Sequence, residues 1–281
     1  MKWDKFVSLA KENNIEVHDI NLGSLDPSVE YDMVITKFNS LLNGHKPEHE
    51  SQIKNFLEYR DEHPRTIELD PFTSQLKLAS REEMIKLFQI MSSKIDIHIP
   101  RSLIIQDAAS IPPDFPFPVI CKNLNAAGPH SHEMLIVWKR SKFPSTLQGP
   151  HLLQQLINHN STIFKYYGIG DFHAVKRGAS LRDFEADSNG GDNVTFNSQH
   201  YKSLQGEPTA LEPPKEFIDS LTKVLKEDLG LGMTLIGLDI IRCKSTGKYF
   251  IIDANYFPGY SGIEDFPQKL FHLVNQKLFV H

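Results

Sequence analysis

Residues 235–255 read LIGLDIIRCKSTGKYFIIDAN. Two runs rich in aliphatic and aromatic residues, joined by about five polar residues that include a glycine, predict an antiparallel β-hairpin. A turn centred on the threonine of the polar run pairs Asp239 with Asp253 and Gly237 with Asn255. Because residues directly opposite each other lie on the same face of a sheet, the two aspartate Cβ atoms are expected about 5 Å apart.

The oxygen-bearing side chains of this hairpin are expected to converge, since Asp253 and Asn255 share a face. Like charges directly opposite each other destabilise a sheet, and an unpaired carboxylate among apolar residues is costly. The pattern therefore predicts that Asp239, Asp253 and Asn255 hold a divalent cation such as Mg²⁺, with Gly237 leaving open space for waters and phosphate oxygens. The alternative is a half-exposed hairpin whose acids face solvent.

Features around the hairpin favour a ligand site. Residues 255–260 read NYFPGY, an aromatic turn in which Gly259 permits the close approach of a ligand. Lys122, Lys165 and Lys176 each lie in or beside a predicted strand that precedes the hairpin. A single lysine in a strand is usually a solvated edge residue, whereas three in this order favour phosphate binding near the acids.

Two further segments could contact a nucleotide. The loop NAAGPHSHE at 125–133 has small residues whose backbone N–H groups could cover phosphates. It lacks the spacing of a Walker loop, and no G-x-G-x-x-G follows a strand, so ordinary P-loop and Rossmann sites are excluded. The segment LLQQLINHN at 152–160 could offer an adenine edge a donor and an acceptor through its backbone and Gln154. Core packing explains its apolar residues equally well.

The composition is that of a globular protein of two or three joined units, with 281 residues, 40% hydrophobic and 23% charged. A net charge of −5 argues against nucleic acid or an anionic membrane as a partner. The two cysteines, Cys121 and Cys243, exclude a disulfide scaffold. No apolar stretch approaches the about 20 residues of a membrane-spanning helix, and no secretory signal is present, so a cytoplasmic protein is expected.

The periodicity of apolar residues predicts an α/β chain with an antiparallel centre. Helices are expected over 3–10, 48–62, 81–94 and 215–228 and from Glu264, and strands over 15–20, 32–38, 66–69, 117–122, 133–138, 152–157, 162–169, 172–175, 234–242 and 248–253. Residues 181–213 are rich in Asp, Asn, Gly, Ser and Pro and are expected to form a mobile excursion.

Several motifs occur in an order that is specific when taken together: ITK at 35–37, HP at 63–64, LDP at 69–71, FPFPVICK at 115–122, SHEM at 131–134, the segment 154–165, FNS at 196–198, GLDII at 237–241 and IDANYFPGY at 252–260. Over almost the whole chain they resemble the ATP-grasp fold. More closely, they resemble the inositol 1,3,4-trisphosphate 5/6-kinase family, also called the inositol tetrakisphosphate 1-kinase family.

The resemblance implies an ATP-grasp α/β (α+β) fold whose antiparallel sheets enclose the nucleotide. Its parts would be a small N-terminal α/β domain on the substrate side over 1–76 that lacks its first strand, a central subdomain over 77–160, and a C-terminal subdomain with the metal site over 161–281. The implied activity is Mg²⁺-dependent transfer of the ATP γ-phosphoryl group to a ring hydroxyl of an inositol tris- or tetrakisphosphate, carried out by a monomer.

The resemblance also implies residue roles. The expected ATP contacts are Lys122, Gln154, Gln155, Ile157, Lys165, Ser180 and Ser198. The expected Mg²⁺ ligands are Asp239, Asp253 and Asn255. The expected inositol phosphate contacts are Lys37, His132, Lys165, Asn255 and Gly259, and the residues expected to act in catalysis are Lys165, His132 and Asp253.

The chain departs from the family pattern in three places. Members begin with a strand that carries a substrate-binding lysine, whereas this sequence begins at the first predicted helix. Ala127 replaces a histidine before the loop glycine, and Lys77 and Leu78 replace an Asp-Arg pair, for which Arg81 is a displaced candidate. Two other functions stay open from the sequence: a carboxylate–amine ligase that forms an acyl phosphate, and a module that binds nucleotide or inositol phosphate without turnover.

Overall fold

A computed structural model describes residues 2–38, 41–42, 46–126, 130–145, 147, 149–184, 192–227, 229 and 231–279. The helices in these ranges are α1 (Lys2–Glu12), α2 (Pro47–Glu62), α3 (Phe72–Ala79), α4 (Arg81–Ser92), α5 (Lys215–Glu227) and α6 (Phe266–Phe279). The strands are β1 (Met33–Ile35), β2 (Ile67–Leu69), β3 (Ile97–His98), β4 (Ser102–Ile105), β5 (Val119–Asn123), β6 (Glu133–Val137), β7 (His151–Gln155), β8 (Thr162–Ile169), β9 (Phe172–Ala179), β10 (Val194–Asn197), β11 (Leu235–Arg242) and β12 (Tyr249–Tyr256).

The described strands form three sheets. β1 and β2 form a parallel pair near the N-terminus. A central antiparallel sheet has the order β10-β6-β5-β7-β4. The C-terminal sheet has the order β3-β12-β11-β8-β9, in which only β3 runs parallel to its neighbour. The expectation of an α/β chain with an antiparallel centre is confirmed.

The central strand β11 is apolar along most of its length because helices cover both of its faces. Ile236 and Leu238 pack with α4 and with the buried face of α5, which carries Leu221. Leu235 points to the other face and packs with α6. Side chains alternate along a strand, so Asp239 lies on the same face as Leu235.

A buried carboxylate joins the N-terminal part of the chain to the C-terminal sheet. Asp70 is only 3% exposed and has a φ of 62°, which turns the chain sharply after β2. Its carboxylate accepts hydrogen bonds from the Thr234 hydroxyl at 2.8 Å and from the Leu235 backbone N–H at 2.9 Å. Burial raises the pKa of Asp70, and these hydrogen bonds oppose the rise. The start of β11 is therefore fixed to the end of β2.

The prediction of a strand over 15–20 is wrong. The segment has no turn or bend, and Ile15, Val17 and Ile20 are partly buried in it. No described strand runs beside it, however, so it has no partner with which to form a ladder. Alternation of apolar residues gave the correct burial pattern but could not supply the neighbouring strand.

Three other differences concern short elements. Helix α3 was not predicted, and the expected boundary between residues 76 and 77 falls inside it. Strand β10 lies within the expected excursion at 181–213 and pairs with β6, although residues 185–191 are outside the described ranges. The short strands β3 and β4 are not among the predicted strands. None of the described helices has the length and apolar character needed to cross a membrane.

Candidate active site

The hairpin of β11 and β12 brings two acids face to face. Asp239 pairs with Asp253, and Gly237 pairs with Asn255, so the predicted register is confirmed. The register shifts between Asp239 and Ile240, directly beyond the paired acids. The tip of the hairpin therefore follows a different register from the part that carries the acids.

A row of charged residues crosses four adjacent strands on this face. Lys165 on β8 is the cross-strand partner of Asp239, and Lys176 on β9 is the partner of Lys165. The Lys165 Nζ atom lies 3.3 Å from Asp239 Oδ1 and 3.4 Å from Oδ2. The row thus reads Asp253, Asp239, Lys165, Lys176 and contains both acids and two cations suited to phosphate groups.

For Asp239 and Lys165, burial and the oppositely charged neighbour shift the pKa in opposite directions. Burial raises the pKa of Asp239; Lys165 opposes the rise and Asp253 adds to it. Partial burial alone lowers the pKa of Lys165, but the neighbouring carboxylate of Asp239 outweighs it, and the net pKa is raised. A cation bound between the two acids would remove the repulsion that destabilises them.

Lys122 connects the central sheet to the hairpin. It is 4% exposed, and its ammonium group donates hydrogen bonds to Gln154 Oε1 at 2.8 Å and to the Ile252 carbonyl at 3.2 Å. Burial lowers the pKa of Lys122 to about 8; Asp253 opposes this shift, Arg81 adds to it and Asp239 also opposes it. Lys122 and Gln154, both predicted to contact ATP, therefore lie together beside the residue that precedes Asp253.

We expect the affinity of Lys122 for phosphate to fall at high pH. Its pKa of about 8 lies below the ordinary 10.5, so the folded protein loses this proton before the unfolded chain does. Between about pH 8 and pH 10.5 the unfolded chain binds more protons than the folded protein. The contribution of Lys122 to the free energy of unfolding therefore rises with pH across this range. Its charge is meanwhile lost, so the KM for ATP should increase above about pH 8. Lys122→Met should have a high KM without this pH dependence; a similar rise in that variant would contradict the assignment.

His132 and Ser198 are held against each other. The Ser198 N–H donates to the His132 carbonyl at 2.7 Å, and His132 Nδ1 lies 3.3 Å from Ser198 Oγ. His132 Nε2 lies 2.9 Å from the Gln199 side-chain nitrogen. Burial lowers the pKa of His132; Arg81 adds to the shift and Asp253 opposes it. Its surroundings therefore disfavour the charged form of the His132 ring.

Arg81 supports the loop that carries His132. Its guanidinium group is buried and donates to the carbonyls of Asn123, Asn125 and Ser131. Arg81, the candidate for a displaced substitute, thus contributes charge near Asp253 but uses its terminal nitrogens on the backbone. Ala127, the second departure, lies outside the described residues.

The predicted adenine contacts Gln155 and Ile157 line a cavity of about 600 Å³, whose walls include four aromatic residues, Phe117, Trp138, Phe184 and Phe250. The Gln155 N–H is already bonded to the Arg101 carbonyl. Lys122 and Gln154 do not line this cavity.

Ser180 is buried at the end of β9. Its N–H donates to the Ser161 carbonyl at 2.8 Å, and its carbonyl accepts from the Gly206 N–H at 3.0 Å. Both backbone groups are therefore committed within the fold, and only the Ser180 side chain is left to contact a ligand.

The predicted substrate residues Lys37 and Gly259 meet at the turn after β12. Lys37 Nζ lies 5.7 Å from the centroid of the Phe257 ring, and partial burial lowers the pKa of Lys37. A Cβ added at Gly259 would have Ser261 Oγ at 4.0 Å as its nearest neighbour, so a ligand can approach the backbone there. Asn255 is exposed beside this turn.

The expectation that Gly237 leaves open space is wrong. A Cβ at position 237 would lie 3.0 Å from Pro258 Cγ and 3.2 Å from its Cβ. The missing side chain therefore makes room for the turn of residues 256–260, which folds back over β11.

Gly237→Ala should displace this turn and raise the KM for the phosphorylated acceptor about tenfold, because overpacking forces the neighbouring backbone to shift. The KM for ATP should change little. Gly178→Ala is a matched control on the same sheet, since its Cβ would meet only Ile163 Cγ2 at an ordinary 3.5 Å. Steady-state kinetics of both variants test this; equal KM values for the acceptor would contradict the role of the Pro258 contact.

The donor set of the hairpin fits Mg²⁺. Among the described residues, no group of three His, Cys, Asp or Glu could hold a metal ion; what the hairpin brings together is two facing carboxylates and, opposite Gly237, the amide of Asn255. Mg²⁺ is commonly bound through one or two carboxylates, with phosphate oxygens and waters as its other ligands. Asp253 forms no ion pair with any described residue, which leaves its carboxylate available.

Reasoning from the sequence missed the roles of two residues, Gln199 and Asp70. Gln199 touches His132, and its position next to Ser198 was the signal that could have found it. Asp70 was noted only within a motif, although a polar residue before a proline at a strand end is typical of a structural turn.

Comparison with known proteins gives the family and the fold of the chain. Residues 91–276 match the family model for the "Inositol 1,3,4-trisphosphate 5/6-kinase ATP-grasp domain". The chain is 28% identical over 290 residues to the inositol-tetrakisphosphate 1-kinase of Xenopus laevis, covering 95% of this chain and 72% of that protein. It is 26% identical over 302 residues to the inositol-tetrakisphosphate 1-kinase of Danio rerio, covering 99% and 76%.

The structure also resembles the solved structure of a RiPP-associated ATP-grasp ligase of Chryseobacterium gregarium in complex with ADP and peptide, with a TM-score of 0.60. The two chains are 12% identical, and the similarity covers 98% of this chain and 92% of the other. At that identity the similarity shows the fold alone. The chain has the ATP-grasp fold and belongs to the inositol 1,3,4-trisphosphate 5/6-kinase family.

Proposed function

We propose that this protein is an ATP- and Mg²⁺-dependent inositol polyphosphate kinase. It transfers the γ-phosphoryl group of ATP to a ring hydroxyl of an inositol tris- or tetrakisphosphate. The observation that carries the proposal is the charged row of Asp253, Asp239, Lys165 and Lys176, which lies on one face of a single sheet. Family membership supports the same chemistry.

The metal would be held by Asp239, Asp253 and Asn255. When bound, Mg²⁺ supplies positive charge that neutralises the transferring phosphoryl group and its leaving group. The protein contributes the fixed spacing of the two acids, which the hairpin register determines. Lys165 keeps Asp239 oriented through its ion pair.

The nucleotide would lie between the central sheet and the hairpin, enclosed by the antiparallel sheets. Lys122 reaches across this space, since it starts on β5 and bonds to the β12 carbonyl of Ile252. We assign phosphate binding to Lys122 and Lys165 and adenine binding to Gln154, Gln155 and Ile157. Ser180 and Ser198 would complete the ATP contacts.

The acceptor would bind beside the charged row, against the turn that follows β12. Lys37, His132, Lys165, Asn255 and Gly259 would contact its phosphates and hydroxyls. Transfer forms a phosphate ester at the ring oxygen, breaks the bond between the γ-phosphorus and the ADP oxygen, and releases the hydroxyl proton to solvent. Because this transition state is loose, catalysis depends mainly on positioning and charge, for which Lys165, His132 and Asp253 are placed. We propose that the enzyme acts as a monomer.

The direct test is incubation of the purified protein with ATP, Mg²⁺ and a panel of inositol tris- and tetrakisphosphates, followed by separation of the products. We expect an acceptor with one additional phosphate and an equal amount of ADP. Folded protein that binds nucleotide but forms no product with any acceptor would refute the proposal. ADP release that requires an amine and no inositol phosphate would indicate ligase chemistry instead.

A further inference from the structure

The linker between β7 and β8, residues 156–160, is bonded both to the turn of the β11–β12 hairpin and to residues 181–184, which follow β9. The linker carries Ile157, to which adenine binding is assigned, and the hairpin carries the two facing acids. Both the linker and the hairpin turn line the cavity of about 600 Å³ at Ile157. The contacts between these segments therefore relate the base end of the nucleotide site to its metal end.

Asp183 joins the linker to the hairpin turn. Its Oδ1 atom accepts a hydrogen bond from the His159 backbone N–H at 2.8 Å, and its Oδ2 atom lies 3.0 Å from Lys244 Nζ. Burial alone would raise the pKa of Asp183, but the hydrogen bonds from Lys244 and from the His159 N–H outweigh it, and the net pKa is lowered. A single charged carboxylate thus uses its two oxygens to hold two segments that lie far apart in sequence.

Other contacts fix the same three segments. The Lys244 backbone N–H donates to the Asn158 carbonyl at 2.8 Å. The Asn158 side chain accepts from the Phe184 N–H at 3.0 Å and donates to the Phe184 carbonyl at 2.7 Å. The Phe184 ring packs edge-on against Trp138, which follows β6, with 4.8 Å between the ring centroids. The segment that carries Asp183 is therefore itself anchored to the central sheet.

The bonds of His159 determine how Ile157 presents its backbone. His159 is 4% exposed, and its Nδ1 atom lies 2.7 Å from the Ile157 carbonyl. Because a carbonyl oxygen can only accept, Nδ1 carries a proton and donates it to this bond. The Ile157 N–H, in contrast, forms no hydrogen bond with any residue that the structure describes. Asp183 holds His159, and His159 holds Ile157 with its N–H available to a ligand.

We propose that Asp183 and Lys244 are positioning residues for the nucleotide. They keep the linker and the hairpin turn at a fixed separation, and this sets the backbone of Ile157 relative to the acids that would hold Mg²⁺. Neither residue is among those assigned to ATP, Mg²⁺ or the acceptor, and neither needs to touch the reacting atoms. The inference rests on the nucleotide site of the proposed function, but not on phosphoryl transfer itself.

Substitutions at the two positions remove the contacts selectively. Asp183→Ala removes both contacts, whereas Asp183→Asn keeps an oxygen for the His159 N–H and loses only the charge that pairs with Lys244. In calorimetric titrations with ADP and Mg²⁺, we expect the alanine variant to bind ADP about tenfold more weakly and the asparagine variant about threefold more weakly. Lys244→Met should match Asp183→Asn, and the double variant should be no weaker than either, because both changes remove the same ion pair.

Steady-state kinetics separate positioning from a general loss of structure. The KM for ATP should rise by the same factors as the dissociation constant for ADP. The KM for the acceptor and the melting temperature without ligand should stay close to those of the unmodified chain. Asp219→Asn is the matched control, since Asp219 pairs with Lys215 on the exposed face of α5. ADP binding by Asp183→Ala that equals that of the control, or an equal rise in both KM values, would overturn the proposal.

Two further outcomes bear on how the inference relates to the proposed function. A chain that binds ADP but transfers no phosphoryl group would refute the kinase activity alone, since the ADP measurements do not depend on transfer. Absence of ADP binding by the unmodified chain would overturn both. Fully additive effects of Asp183→Asn and Lys244→Met would show that the two residues act separately and would contradict the proposed pair.

Discussion

Replacement of Asp253 by asparagine is expected to lower kcat/KM for phosphoryl transfer by about a thousandfold, because one of the two carboxylates proposed to hold the charge-neutralising Mg²⁺ is lost. Asp253 faces Asp239 across the hairpin and forms no ion pair with a described residue. Its negative charge favours the charged forms of buried Lys122 and Arg81 and repels Asp239, so these effects of the substitution on the fold oppose each other. The fold should survive the substitution while the Mg²⁺ site does not.

Two measurements on Asp253→Asn separate the loss of the Mg²⁺ site from any damage to the fold. The thermal stabilisation produced by Mg²⁺ with a non-hydrolysable ATP analogue should disappear, while the melting temperature without ligand stays close to that of the unmodified chain. Asp171→Asn is the matched control, since Asp171 pairs with Lys226 at the surface and has no place in the site. Activity of the Asp253 variant within about tenfold of the control would contradict the assignment of a metal ligand.

Lys165→Met is expected to reduce kcat/KM by at least about a hundredfold. Lys165 is the one residue assigned to both ATP and acceptor, and it lies between Asp239 and Lys176 in the charged row. Its loss removes the counter-charge of a buried carboxylate and a contact to the transferring group at the same time. The KM values for ATP and for the acceptor should therefore both rise.

Lys215→Met serves as the control for Lys165→Met, because Lys215 pairs with Asp219 on the exposed face of α5. Steady-state kinetics with each substrate varied in turn provide the measurement. If only kcat fell and both KM values stayed constant, Lys165 would act in transfer without binding either substrate. Unchanged kinetics would remove it from the site.

The part of the site that could be predicted from the sequence is local. Strand alternation and a short polar turn specify a hairpin register almost completely, so the pairing of Asp239 with Asp253 followed from their spacing. Lys122 and Gln154 were each identified, but their contact depends on the pairing of β5 with β7, which lie far apart in the chain. The sequence offers no comparable signal for long-range pairing.

The two wrong predictions, a strand over residues 15–20 and open space at Gly237, have the same origin. The segment 15–20 has the alternation of a strand but no neighbour, and the space at Gly237 is filled by Pro258, which returns from the end of β12. In both places the outcome depends on what lies next to the residue in three dimensions. The assignment of individual ligand contacts and the three-part division of the chain stay predictions for the same reason.

The attachment of Asp70 to Thr234 and Leu235 bears on the order in which substrates bind. It links the segment that carries Lys37 to the first residues of β11, only a few positions before Asp239. The part of the acceptor site formed by Lys37, Asn255 and Gly259 should then keep its position relative to the acids, whereas Lys122, Gln154 and His132 would follow any movement of the central sheet. An acceptor could accordingly form its first contacts before ATP arrives, which predicts random rather than strictly ordered addition.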